Sequence, residues 1–120
     1  DISRTLEPGA PLPGRRVAAL SRMADQGLNA YALVGPLLPL LTGRDVDEMV
    51  EALSSAGIKW VMLDRFRPRP GMFDDIARRP GGEGIADRLE SAHRAEDYRG
   101  LESLVRRKFT ERGIRCVNAF

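Results

Sequence analysis

Cysteine is almost missing from this sequence: Cys116 is the single one in 120 residues. That excludes an internal disulfide framework, and any thiolate-ligated metal site made within this chain alone. Histidine is equally scarce, and His93 by itself cannot form a metal site. Lysine is confined to Lys59 and Lys108, so the pI of 9.1 reflects arginine. The net charge is only +2, too small to argue for nucleic acid or an anionic membrane by itself. No apolar run approaches the roughly 20 residues of a membrane span. With one cysteine and no such span, the expected location is the cytoplasm and no membrane partner is expected.

What is present is one phrase that occurs three times. A helical stretch ends in glycine, and a short apolar strand follows at once. The glycines are Gly27, Gly57 and Gly113, followed by Leu28, Ile58 and Ile114. Glycine suits the left-handed position just past a helix, because it carries no Cβ penalty there. The strands that follow are expected over Asn29–Val34, Lys59–Leu63 and Arg115–Phe120. Proline at positions 36 and 39 is expected to end the first of them after Gly35.

The helices have recognisable starts. Pro13 suits a first helical turn, with Val17, Leu20, Met23 and Ala24 recurring at helical spacing. Asp45 and Glu48 resemble a capping box, with aspartate in the hydroxyl position, ahead of the stripe Val46, Met49, Val50 and Leu53. A third long helix is expected from about Tyr98 to Arg112, with a stripe of Leu101, Leu104, Val105 and Phe109.

Strands alternating with helices imply parallel pairing, because a hairpin cannot contain a helix. Asp1–Thr5 reads as the end of a further strand already under way, which makes four. The expected fold is α/β: a partial (β/α) barrel, about half of a TIM-type barrel, in a single domain over 1–120. A closed barrel usually needs roughly 200 or more residues. The chain is therefore expected to be the C-terminal portion of one, with the N-terminal barrel half as its missing partner. A small doubly wound sheet is the alternative.

Residues 65–98 break the rhythm with Pro68, Pro70, Pro80 and the Gly81-Gly82 pair. They are expected to form a long rim insertion with a short helix near Met72–Arg78. It follows the strand ending at Leu63-Asp64, on the side where barrel enzymes place their chemistry.

Several phrases then resemble a known family. Ser3-Arg4-Thr5, Glu7-Pro8, Ala10-Pro11 and an arginine-started helix at Arg15 or Arg16 come first. Val34-Gly35-Pro36-Leu37-Leu38-Pro39 follows, leading to Thr42-Gly43-Arg44-Asp45. Leu63-Asp64-Arg65-Phe66 and Arg69-Pro70-Gly71-Met72-Phe73 complete the series. Their order and spacing are similar to the spore photoproduct lyase-like branch of the radical SAM superfamily, over most of residues 1–78. The resemblance implies S-adenosylmethionine as cofactor, a 4Fe-4S cluster, lyase-like radical chemistry and nucleic acid as a candidate partner. The family's three-cysteine cluster loop is absent here: either the cluster would be bound by a segment not present in this chain, the preferred reading, or the chain is a degenerate relative. The isolated chain is accordingly expected to be inactive.

The same resemblance nominates cofactor contacts at Ser3, Thr5, Glu7 and Pro36. Ser3 and Thr5 would share one side of a strand, or simply cap its end. Glu7 would accept from a ribose or amino group, or pair with Arg15 or Arg16. Asp64, Arg65, Arg67 and Arg69 form the densest polar cluster at a strand end and are the candidate substrate contacts. Arginine there can clamp phosphate or carboxylate in two-pronged hydrogen bonds, or belong to a solvated loop paired with Asp74 and Asp75. Phe66 and Phe73 are either base-stacking platforms or anchors to the core. No catalytic residue and no metal ligand is assigned.

Two other functions fit the residues. One is another barrel lyase or aldolase acting on an anionic substrate, although Lys59 lies near the wrong end of its strand for a Schiff base. The other is a non-catalytic binding domain using the Arg65–Arg69 loop.

Overall fold

A computed structural model describes residues 3–95 and 98–119. It contains a helical turn α1 (Ser3–Leu6), then α2 (Pro13–Asp25), β1 (Ala32–Leu37), α3 (Gly43–Ser55) and β2 (Trp60–Arg65). These are followed by α4 (Met72–Ala77), α5 (Gly82–Ala95), α6 (Tyr98–Glu111) and β3 (Arg115–Asn118). The three strands form one parallel sheet in the order β1-β2-β3.

The repeated phrase is the frame on which this sheet is hung. Gly27, Gly57 and Gly113 have φ of 77°, 82° and 70°, in the left-handed region. At each junction the residue after the glycine donates its N–H five residues back: Leu28 to Met23, Ile58 to Leu53, Ile114 to Phe109. The glycine itself donates three residues back, to Ala24, Ser54 and Thr110. This paired closure is the Schellman arrangement, and the apolar residue that follows seals it. Ile58 and Ile114 are buried there, whereas Leu28 is 56% exposed.

Helix α3 is capped by Thr42 rather than by Asp45. The Thr42 side chain accepts from the Asp45 N–H at 3.1 Å, and the Asp45 carboxylate accepts from the Thr42 N–H at 2.9 Å. The reciprocal box therefore sits three residues ahead of the expected one. A hydroxyl just before the helix and a carboxylate at its third residue satisfy the pattern better than Asp45 with Glu48. Glu48 instead pairs along the helix with Arg44.

The half-barrel expectation is overturned. Among the described residues there are three strands, not four, because Ser3–Leu6 is helical where a strand was expected. A three-stranded sheet leaves one face and two edges open, and nothing in it closes into a barrel. The first strand also runs further than expected: β1 passes through Pro36 to Leu37, with a cis peptide at Gly35-Pro36 and an irregular register between Val34 and Leu37. Proline is tolerated because β1 is an edge strand, where a missing ladder donor costs little.

Two apolar clusters result. The larger one lies between one sheet face (Ala32, Val34, Val61, Leu63) and the helices α3 and α6, through Val46, Val50, Leu53, Val105 and Phe109. Val17 and Leu20 bring α2 against it. The smaller cluster starts just past the ends of β1 and β2, at Leu38, Leu40 and Phe66. It continues through Ile76, Ala86 and Leu89, so the expected rim insertion is largely folded as the α4–α5 pair. Among the described residues no helix is long and apolar enough to cross a membrane.

Candidate functional site at the carboxyl edge of the sheet

Alternation along the strands sorts the sheet into two unlike faces. Ala32, Val61 and Cys116 are register partners, as are Val34, Leu63 and Asn118, on the helix-covered side. Leu33, Met62 and Val117 are partners on the other side, and Trp60 partners Arg115 there. None of Tyr31, Leu33, Trp60, Met62 and Val117 belongs to either cluster. Leu33 is 60% exposed and Tyr31 45%. The Tyr31 and Trp60 rings stack on this open side, with centroids 4.1 Å apart.

At the carboxyl end of the open face stand Gly35 and Asp64. A Cβ placed on Gly35 would come within 2.7 Å of the Asp64 Cβ, so this crossing admits no side chain from β1 without movement. Asp64 thus projects beside a bare stretch of backbone that leads into Pro36. Its carboxylate is part-exposed, lies 3.6 Å from the Arg67 guanidinium, and accepts from the Arg65 N–H at 2.9 Å.

The nominated substrate cluster is divided by the same alternation. Arg65 follows Leu63 onto the helix side, where its Nε donates to the Glu102 carboxylate at 2.6 Å and its Nη2 at 3.4 Å. That hydrogen bonding raises the Arg65 pKa above its ordinary value. Arg67 remains beside Asp64, and Arg69 lies in the exposed loop after β2. The expected pairing with Asp74 and Asp75 is not what these arginines do. Glu102 and Asp64 take two of them, while Asp75 pairs with Arg78.

The nominated cofactor residues are separated as well. Pro36 lies in β1 at the carboxyl edge, but Ser3 and Thr5 sit on the helical turn α1, so the expected shared strand side does not exist. The Thr5 carbonyl accepts from Arg79 at 2.8 Å, and the Leu6 carbonyl from the same nitrogen at 3.1 Å. Glu7 pairs with Arg16 at 2.6 Å, the second of its two expected roles. Phe66 is buried, and its ring meets the edges of Phe73 and His93 at 6.3 and 5.7 Å. The aromatics of this loop are anchors rather than platforms, and His93 is part of that packing.

The open face itself is what sequence reasoning missed. The apolar alternation Tyr31, Leu33 and Trp60, Met62 is the same whether or not a layer covers that face, so the letters alone do not mark it.

A 4Fe-4S cluster does not fit this chain's own residues. Among the described residues no three His, Cys, Asp or Glu side chains converge as metal ligands. Cys116 is half-buried against the larger cluster, and burial pushes its thiol pKa up, away from the thiolate a metal needs.

No family model matches the sequence, and no solved structure matches it. The chain is 32% identical over 65 residues to an uncharacterized protein of Mycobacterium tuberculosis, and equally to one of Mycobacterium bovis. The match takes in 52% of this chain and 19% of each relative. The chain thus aligns with about a fifth of the length of these curated relatives.

Proposed function

We propose that this chain supplies S-adenosylmethionine and substrate contacts to a longer radical SAM enzyme of the spore photoproduct lyase-like kind, and that alone it is inactive. The observation that carries the reading is the uncovered sheet face. Parallel sheets occur almost only with both faces covered. Tyr31, Leu33, Trp60, Met62 and Val117 therefore call for an apolar layer supplied by other polypeptide. Relatives about five times longer than their matched stretch have the chain length to provide one.

Ligands of open α/β sheets lie outside the carboxyl ends of the strands. In this reading the Gly35-Pro36 backbone offers a flat edge for the adenine, and Asp64 accepts from hydroxyl or amino groups. Arg67 and Arg69 face the anionic part of the substrate, with a nucleic-acid backbone as the candidate. Arg65 acts at one remove, fixing the end of β2 through Glu102. Ser3, Thr5 and Glu7 are left out of this set. In the resembled family the bound cofactor supplies a 5′-deoxyadenosyl radical, and the cluster's cysteines would come from outside residues 3–119.

The test is to purify the intact gene product without oxygen and reconstitute it with iron and sulfide. It is expected to show iron–sulfur absorbance and, with a reductant, to release 5′-deoxyadenosine from S-adenosylmethionine, whereas residues 1–120 alone do neither. An intact product that takes up no iron and leaves the cofactor uncut overturns the proposal.

A further inference from the structure

A groove of about 410 Å³ lies between α1 and the start of α2, lined among others by Arg4, Glu7, Gly9, Arg15 and Arg16. None of residues 31–37 or 60–69 lines it, so it is separate from the sheet edge. Arg16 is held in place: its Nε donates to the Pro11 carbonyl at 2.9 Å and its Nη2 to Glu7 at 2.6 Å. Among the described residues, Arg4 and Arg15 have no acidic partner. No acidic residue lies in the first turn of α2 either.

We infer that this groove is a binding site for a small phosphomonoester. Three guanidinium groups against one carboxylate leave two positive charges. That matches the charge of roughly −1.5 to −2 on a phosphomonoester at neutral pH. With Nε on Pro11 and Nη2 on Glu7, Arg16 presents its Nη1 end in an orientation set before any ligand arrives. Arg4 and Arg15 are free to close on the phosphoryl oxygens, where charge-assisted bonds are stronger than neutral ones. Glu7 lowers the affinity for any anion but selects against a random one, because only a ligand that engages both unpaired arginines offsets it.

The probe is inorganic phosphate, followed by ¹⁵N-resolved amide shifts of the full 120-residue chain at low salt. The expected result is saturable shifts confined to residues 4–16, Gly9 and Gly14 included. Arg4→Gln and Arg15→Gln should each weaken binding about tenfold, which is about 1.4 kcal/mol. Arg107→Gln removes the same charge from the far helix α6 and should leave binding unchanged. Among the described residues neither Arg4 nor Arg15 makes a side-chain bond, and circular dichroism of the variants should match the parent. Shifts spread over the surface, or equal losses with Arg107→Gln, would reduce the effect to net charge and overturn the site. So would binding of single-stranded DNA that phosphate fails to displace, since the groove would then be part of a nucleic-acid surface.

Discussion

Asp45 shows how one exposed side chain can carry a measurable share of a fold's stability. Its carboxylate closes the α3 box by accepting from the Thr42 N–H, and that bond, chiefly, holds its pKa below the usual carboxylate value. A carboxyl whose pKa is lower in the folded than in the unfolded chain stabilises the fold at pH above the unfolded value, near 4. The contribution is lost as pH falls through the folded value. Asp45→Asn is therefore expected to lower stability at neutral pH and to flatten the acid side of the profile. Thermal unfolding of both proteins from pH 7 to pH 3 measures this; parallel profiles would remove the box from the account. The box was half legible in the sequence. Asp45 was recognised as a cap residue, but its partner was sought at Glu48 rather than at Thr42, since two overlapping patterns compete at this helix start.

Helix α5 is the element least visible beforehand, whereas α4, Met72–Ala77, falls where a short helix was expected. Proline and paired glycine between residues 65 and 98 signal a break in periodicity, yet Gly82–Ala95 is a helix of 14 residues. Its buried face, Gly82, Ala86 and Leu89, is narrow and made mostly of small residues, so the helical stripe is weak in sequence. Packing on Phe66, Ile76 and the end of β1 supplies what the stripe lacks. The α4–α5 pair is tied to the start of the chain by Arg79, which donates to two carbonyls of α1. Arg79→Ala removes both bonds and should cost about 1–3 kcal/mol. Its specific signature is faster amide exchange in residues 3–10 with the β2 amides unchanged. Uniform loss of protection would mean that α1 is not held locally.

At the scale of the whole molecule, the sheet has one dry face and one open face. Val61 and Leu63 are fully buried beneath α3 and α6, while Leu33 lies 60% exposed one register step away. A second layer would make Leu33 a core residue. Leu33→Asn should then change the stability of the 120-residue chain by no more than about 0.5 kcal/mol, as at other exposed sites. In the longer protein proposed above, the same substitution should cost about 2–5 kcal/mol, as for a buried leucine lost to a small side chain. Denaturant titration of the four proteins gives the comparison. Equal small effects in both lengths would mean that nothing covers this face.

The sequence by itself determined the helix-to-strand junctions, because a glycine past a helix and an apolar residue after it are local chemistry. It determined parallel pairing for the same reason, since a helix between two strands forbids a hairpin. It also carried the choice offered for Glu7, a partner among Arg15 and Arg16. Only the tertiary structure decided that Ser3–Leu6 is helical and that β1 runs through Pro36. Four residues at a chain end take their conformation from what they pack on, here Arg79 and the Leu6 contacts with the second cluster. The tertiary structure likewise separated Arg65 from Asp64, because strand alternation sends neighbours to opposite faces and Glu102 waits on one of them. The open face could not be read from residues alone: an apolar alternation has the same letters whether or not a layer covers it.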